Sequence, residues 1–347
     1  MRALLCPAGA LALFLSGCCA FSGPRYQGPR SDHFDGETFF VEGVQQQGAG
    51  GLLKWLGARQ HGPWREYQDL PPGPRPPARL GLGELRVTFV NHATTLLQVD
   101  GLNVLTDPIW SDRASPVSWA GPRRVRPPGL RFEDLPPIDV VLVSHAHYDH
   151  LDLPTLLRIA RAFPRARFYT GLGTAALLRE RHLRNVRELD WWEEVKLGAV
   201  TLAAVPAQHF SNRGLCDRDC TLFAGYVLRG PAGAVFFAGD TGYGPHFRAI
   251  GQRYGPLRLA ILPIGAYKPE WFMGPIHMSP AQAVQAHDDL RAATRVAVHF
   301  GTFDLADDGQ DEPPEALRLA VASHAAPLPR FWVLGFGEGR EVPSLKE

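Results

Sequence analysis

The chain has 347 residues, 45% hydrophobic and 20% charged, which suits one large globular domain or two small ones and excludes a disordered or fibrous protein. Its 36 basic and 35 acidic side chains leave a formal net charge of +1. That balance removes the electrostatic case for nucleic-acid binding, which needs basic charge concentrated on one face.

The N-terminus opens with Met1-Arg2 and an apolar run from Ala3 to Leu15. The run falls short of the roughly 20 residues a membrane-spanning helix requires, so residues 1–17 read as a signal peptide. Leu15-Ser16-Gly17-Cys18 resembles a bacterial lipobox, with cleavage before Cys18 and lipidation of its thiol. Cys19 rather than Asp follows it, which in a Gram-negative cell favours the outer membrane, with the protein anchored at the bilayer surface and facing the periplasm. Residues 18–82 form an extension without strong periodicity. Within it, Gly48-Ala49-Gly50-Gly51 is a breaker, Leu52–Leu56 reads as a short amphipathic helix, and Pro71–Pro77 reads as a stiff linker.

From residue 83 to 347 the patterning becomes regular. Leu85–Val90 reads as a strand ending just before His92, which is either a partner that orients a metal ligand or a structural histidine. Asp107 follows a further apolar run and is placed to orient an imidazole through its second ring nitrogen. Ile138–Val143 is a short β-branched run, as a buried strand should be, and the helical pattern Leu153–Phe163 begins soon after it. Between them, Ser144–Asp152 packs His145, His147, Asp149, His150 and Asp152 into one loop. Neutral imidazoles and ionised carboxylates at this spacing are ligands for a zinc-class ion. Three later strand-like runs each end on a further ligand type: Val200–Val205 before His209, Ala234–Ala238 before Asp240, and Arg295–Val298 before His299. Ligands gathered at one end of several strands are how α/β folds build a site.

Other features carry less. Pro122–Arg131 is locally basic and reads as a solvated loop, and Trp191-Trp192 as core or pocket wall. Gly239–Gly244 is glycine-rich, but its spacing does not fit a dinucleotide-binding loop. Cys216 and Cys220 are four residues apart, and an oxidising compartment permits a disulfide between them. His277 stands two residues before Ser279, a candidate N-cap.

Taken together, Asn91–Thr94, Leu105–Ile109, His145–Asp152, Leu189-Asp190-Trp191-Trp192-Glu193-Glu194, Gln208-His209, Phe237–Tyr243, Ile264-Gly265-Ala266-Tyr267 and His299–Phe303 resemble the metallo-β-lactamase superfamily. Within it they resemble the N-acyl-phosphatidylethanolamine-hydrolysing phospholipase D family. The resemblance implies an α/β fold, an αββα four-layer sandwich, and two Zn2+ ions per chain. By it, His145, His147 and His209 hold one ion, Asp149, His150 and His299 the other, and Asp240 bridges them. Ions roughly 3.5–4 Å apart can activate water and clamp a phosphoryl or carbonyl oxygen. The family also places Tyr148 and His277 against phospholipid, with Asp149, Asp240 and His277 in catalysis. The expected activity is hydrolysis of a lipid phosphodiester at a membrane surface. A lactonase or amide hydrolase, or a metal-binding envelope lipoprotein without catalysis, are the other readings; oligomeric state is open.

Overall fold

A computed structural model describes residues 19, 21–325 and 327–345. The lipobox cysteine Cys18 therefore lies outside the described residues. Among them, no helix is long and apolar enough to cross a membrane.

Two seven-stranded sheets face each other. The first runs β14-β1-β2-β3-β4-β5-β6, with β1 Leu85–Asn91, β2 Thr94–Val99, β3 Leu102–Thr106, β4 Val140–Val143, β5 Arg167–Gly171, β6 Val186–Leu189 and β14 Gly339–Glu341. The second runs β13-β12-β11-β10-β9-β8-β7, with β7 Glu194–Leu197, β8 Val200–Val205, β9 Gly225–Gly230, β10 Gly233–Phe237, β11 Leu257–Pro263, β12 Ala292–Val298 and β13 Phe331–Trp332. Each sheet joins an antiparallel half (β1 to β3, β7 to β10) to a parallel half (β3 to β6, β10 to β13).

Strand β4 shows why the layers stack. Val140 and Leu142 point into the core between the sheets, whereas Val141 and Val143 point outward against Leu156, Ile159 and Leu178. Those three belong to α2 (Leu153–Ala162) and α3 (Thr174–Glu180). A strand buried on both faces reads as a continuous apolar run, as this one does. Over the second sheet lie α4 (His246–Tyr254) and α6 (Pro280–Leu290), which bury Phe247, Ile250, Ala283 and Leu290, with α7 (Glu312–Ala322) against α6. The result is the four-layer αββα sandwich. Helix α6 starts where Ser279 and Gln282 form a capping box.

The N-terminal extension is laid along this sandwich. Phe34 and Phe39 are buried with Phe223, and His33 stacks on Trp191 with ring centroids 4.3 Å apart. Helix α1 (Ala49–Gly57) buries Trp55 beside Phe272 of the short helix α5 (Glu270–Met273). The proline-rich stretch expected as a linker rests against the first sheet: Gln98 donates to the Pro77 carbonyl and the Gly73 amide to the Gly129 carbonyl. The expected Cys216–Cys220 pairing is corrected. Cys216 is bonded to Cys19, with 5.4 Å between their Cα atoms, and Cys220 is a free, buried thiol. The extension brings Cys19 to Cys216 by returning across the Cys216–Cys220 loop, where the Gly23 amide donates to Asp217 and the Tyr26 amide to the Cys220 carbonyl.

Candidate metal centre

The loops that leave the ends of β1, β3, β4, β8, β10 and β12 meet at one place. They carry His92, Asp107, the His145–His150 cluster, His209, Asp240 and His299 respectively. His92, Asp107 and His299 all adopt positive φ (46°, 34° and 62°), a turn in the backbone right at the strand ends that a tightly built site can hold in place. The two sheets are locked together beside it: the Tyr226 hydroxyl of β9 donates to the Val143 carbonyl of β4, and the His299 amide to the His92 carbonyl.

On one side, His145 Nε2 lies 2.6 Å and His209 Nε2 3.3 Å from His147 Nδ1. On the other, Asp149 Oδ2 lies 3.2 Å from His150 Nε2 and 3.5 Å from His299 Nε2. Asp240 stands between them, its Oδ2 3.0 Å from both His150 Nε2 and His299 Nε2 and 3.8 Å from His209 Nε2. All seven residues expected as ligands are thus gathered. His277 joins them, with Nδ1 3.9 Å from Asp240 Oδ2, and so does His92, with Nε2 2.8 Å from Asp149 Oδ2.

The donor set fits cations. Three imidazole nitrogens converge within 4.8 Å of one another at His145, His147 and His209, and a second group of His92, Asp149, His150 and His299 does the same. Asp240 Oδ1, His150 Nε2 and His299 Nε2 are buried and make no hydrogen bond of good geometry within the protein. Buried polar atoms normally find such partners, and ligand atoms aimed at an ion are the common exception.

The opposite ring nitrogens are tied down. His150 Nδ1 donates to Asp107 Oδ2 at 2.6 Å, His209 Nδ1 to the Ile276 carbonyl at 2.8 Å, and His147 Nε2 to Asn212 Oδ1 at 2.8 Å. His145 Nδ1 donates to Ser144 Oγ at 2.9 Å, and that hydroxyl donates on to Asp107 Oδ2 at 2.6 Å. Such contacts select the tautomer that leaves the other nitrogen free to ligate. Asp107 is therefore a hub for both sides. Asn212 and the Ile276 carbonyl had no signal in the sequence, because neither sits in a motif.

Electrostatics divide the site. Burial pushes His147 and His277 down to about 4 and His92 to about 3, and holds His145 and His209 well below the ordinary histidine range. Burial acts the same way on His299 and His150. There the carboxylates of Asp240 and Asp149 outweigh it, raising His299 to about 9 and His150 well above its ordinary value. Burial opposes ionisation of Asp149 and Asp240, yet the facing imidazoles, led by His150, keep both far below the usual carboxylate range. Ionised carboxylates and neutral imidazoles are the states in which these groups ligate metal.

Two further residues of the loop make other contacts. The Tyr148 ring sits under the Arg213 guanidinium, 3.7 Å from it, and Arg213 also donates to the carbonyls of Ala146 and Leu151. Tyr148 thus braces the loop from outside and is absent from the cavity wall. Asp152 turns away to accept hydrogen bonds from Trp110, Ser111 and Thr155, anchoring the start of α2. His277 does line the cavity, a space of about 530 Å³ that opens beside His147 and is walled by Leu52, Trp55, Phe210, Phe272 and Met273. Gln46 of the extension donates to the His209 carbonyl, 2.7 Å away, so the extension reaches the centre itself.

Comparison with known proteins agrees with this geometry. Residues 102–300 match the family described as Beta-lactamase superfamily domain. An uncharacterised Mycobacterium tuberculosis protein is 40% identical over 287 residues, covering 80% of this chain and 76% of its own length. The N-acyl-phosphatidylethanolamine-hydrolyzing phospholipase D 1 of Caenorhabditis elegans is 40% identical over 231 residues, covering 64% of this chain and 65% of the worm protein. The metallo hydrolase Igni18 of Ignicoccus hospitalis superposes with a TM-score of 0.56 at 26% identity, over 75% of this chain and 99% of that one. The chain belongs to the metallo-β-lactamase superfamily, as a metallo-hydrolase resembling the N-acyl-phosphatidylethanolamine-hydrolysing phospholipase D family.

Proposed function

We propose that this protein is a dizinc phosphodiesterase of phospholipase D type, acting on N-acyl-phosphatidylethanolamine or a related amphiphile at the cell-envelope membrane. The observation that carries the reading is the junction of two ligand sets at Asp240 with an apolar cavity of about 530 Å³ beside them. His145, His147 and His209 would hold one ion, Asp149, His150 and His299 the other, and Asp240 both. When bound, the ions supply a water acidified towards a pKa of roughly 7 and positive charge against the phosphoryl oxygens.

The side chains do the rest. Asp149 and Asp240, ionised throughout the neutral range, orient the attacking water by accepting its hydrogen bonds. His277, held neutral by burial, offers a ring N–H to a phosphoryl or leaving oxygen rather than acting as an imidazolium acid. Leu52, Trp55, Phe210 and Phe272 give acyl chains an apolar wall and exclude water from the reacting phosphate. Tyr148 contributes by fixing the ligand loop rather than by touching substrate.

Location belongs to the same proposal. The lipobox at Cys18 would tether the domain to the bilayer, and the Cys19–Cys216 disulfide suits an oxidising periplasm. The test is the purified soluble domain, loaded with zinc and given N-acyl-phosphatidylethanolamine, a bis-nitrophenyl phosphate and a panel of acyl-lactones. Phosphodiester turnover with two zinc ions per chain is expected. Turnover of lactones alone would move the protein to the lactonase reading, and no turnover by the dizinc protein would make it a binding protein.

A further inference from the structure

Beside the metal centre the structure leaves a second, small space of about 10 Å³. His92, His299 and Asp308 line it, together with apolar side chains that include Phe300, Phe303 and Leu305. A space of that size is at the lower limit for one water molecule. All three polar residues are buried, with exposures of 1%, 3% and 5%. Each has a buried polar atom without a hydrogen-bond partner in the protein besides any aimed at the metal centre: His92 Nδ1, His299 Nδ1 and Asp308 Oδ1.

The needs of these atoms are complementary. His299 turns Nε2 toward Asp149 and Asp240; with Nε2 used as the metal ligand, the ring proton sits on Nδ1, which must donate. His92 donates through Nε2 to Asp149 Oδ2, so its Nδ1 is an acceptor. Asp308 already accepts the Ala266 amide on Oδ2 at 3.0 Å, and its Oδ1 is a second acceptor. One donor and two acceptors are what a single water satisfies, taking one proton and giving two.

We propose that one buried water joins His299, His92 and Asp308, and that Asp308 is a positioning residue of the metal centre, acting through that water on His299 and, by way of His92, on Asp149. The inference rests on the assignment of His299 as a metal ligand. Through the water the Asp308 carboxylate fixes the His299 tautomer and makes its Nε2 a stronger ligand, the role a carboxylate plays behind many metal-bound imidazoles. Asp308 is held for this by the extension. Trp64 Nε1 donates to its carbonyl, Trp55 and Arg59 bind the neighbouring Asp307, and the Gln310 amide donates to the Pro63 carbonyl.

The test is Asp308→Asn in the full soluble chain. The amide oxygen keeps the Ala266 bond while the charge and one acceptor are lost. Zinc affinity is measured by competition with a chromophoric chelator, and the thermal midpoint of the metal-free protein is measured alongside. The expected result is a loss of roughly 10–100-fold in affinity for one of two zinc equivalents, with the metal-free midpoint unchanged. Unchanged affinity for both equivalents would overturn the proposal. A weaker site accompanied by an equally destabilised metal-free fold would also overturn it, since Asp308 would then be only structural. A wild-type chain that takes up fewer than two zinc ions would instead sink the dinuclear reading on which it rests. In a crystal structure of the zinc-loaded protein, a water within hydrogen-bonding distance of all three atoms is expected, and a dry cavity refutes it.

Discussion

Asp107 is the residue whose replacement separates folding from metal binding most clearly. It is fully buried and accepts from His150 Nδ1 at 2.6 Å, from Ser144 Oγ at 2.6 Å and from the Ser144 amide at 2.7 Å. Asp107→Ala strands those three donors in a place water cannot reach. At about 1–3 kcal/mol for each unsatisfied donor, the cost is roughly 3–9 kcal/mol. That is a large part of the 5–15 kcal/mol by which a typical domain is stable. At about 2 °C per kcal/mol for a chain this size, the thermal midpoint falls on the order of 10 °C. Asp107→Asn should behave differently. Its amide keeps an acceptor for Ser144 but can turn an N–H toward His150, favouring the tautomer with the proton on Nε2 and removing that nitrogen as a ligand. Zinc affinity at one site then falls by roughly 10–100-fold with a smaller loss of midpoint. Differential scanning calorimetry of the metal-free variants and chelator competition of the loaded ones measure the two effects. An Asp107→Ala variant that melts with the wild type, or an Asp107→Asn variant with unaltered zinc affinity, refutes the reasoning.

Other consequences follow from the same geometry. Asp240→Ala removes the carboxylate shared by His150 and His299, so phosphodiesterase activity should vanish and metal content fall below two per chain, as elemental analysis would show; full activity would refute a shared ligand. The metal-free protein should lose stability on both sides of neutrality. Unfolded histidines protonate near 6.5, whereas His147 and His277 hold off to about 4, so between those values the unfolded chain binds more protons and acidification destabilises the fold. His299 has the opposite sign: its contribution is complete below pH 6.5 and is lost as the pH rises through about 9. Denaturant midpoints across that range, measured with chelator present, should therefore pass through a maximum, and a flat profile would contradict these shifts. Cys216→Ser opens a cross-link between residues 197 apart in sequence and should cost about 2–5 kcal/mol, read as a lower denaturant midpoint and faster proteolysis near residue 20; indifference to reducing agent in the wild type would contradict it.

Much of the centre was legible because its signals are local. A β-branched apolar run followed at once by His or Asp announces a strand end carrying a ligand, and Val140–Val143, Val200–Val205, Gly233–Phe237 and Ala292–Val298 do end beside their predicted residues. Helices α2 and α6 were equally legible, one from the helical pattern Leu153–Phe163 and the other from Ser279 as a candidate N-cap. The packing of Tyr148 was not legible, because its neighbours in sequence are ligands. Successive loop residues point in different directions, and the ring left outside packs on Arg213, 65 positions later.

The sequence by itself determined which residue types stand at which strand ends, and hence a set of metal-ligand side chains; the resemblance to a hydrolase family came from the same motifs. The sequence was silent on what surrounds those side chains. Only the tertiary structure paired Cys216 with Cys19, laid the weakly patterned extension across both the cavity and the His299 loop, and set Asp308 behind His299. The physical reason is range. Strand and turn preferences act between residues a few positions apart and leave a period in the sequence. The bonds from Trp55 to Asp307 and from Gln46 to His209 span 252 and 163 positions, and they exist because the two sheets, once packed, bring those surfaces together.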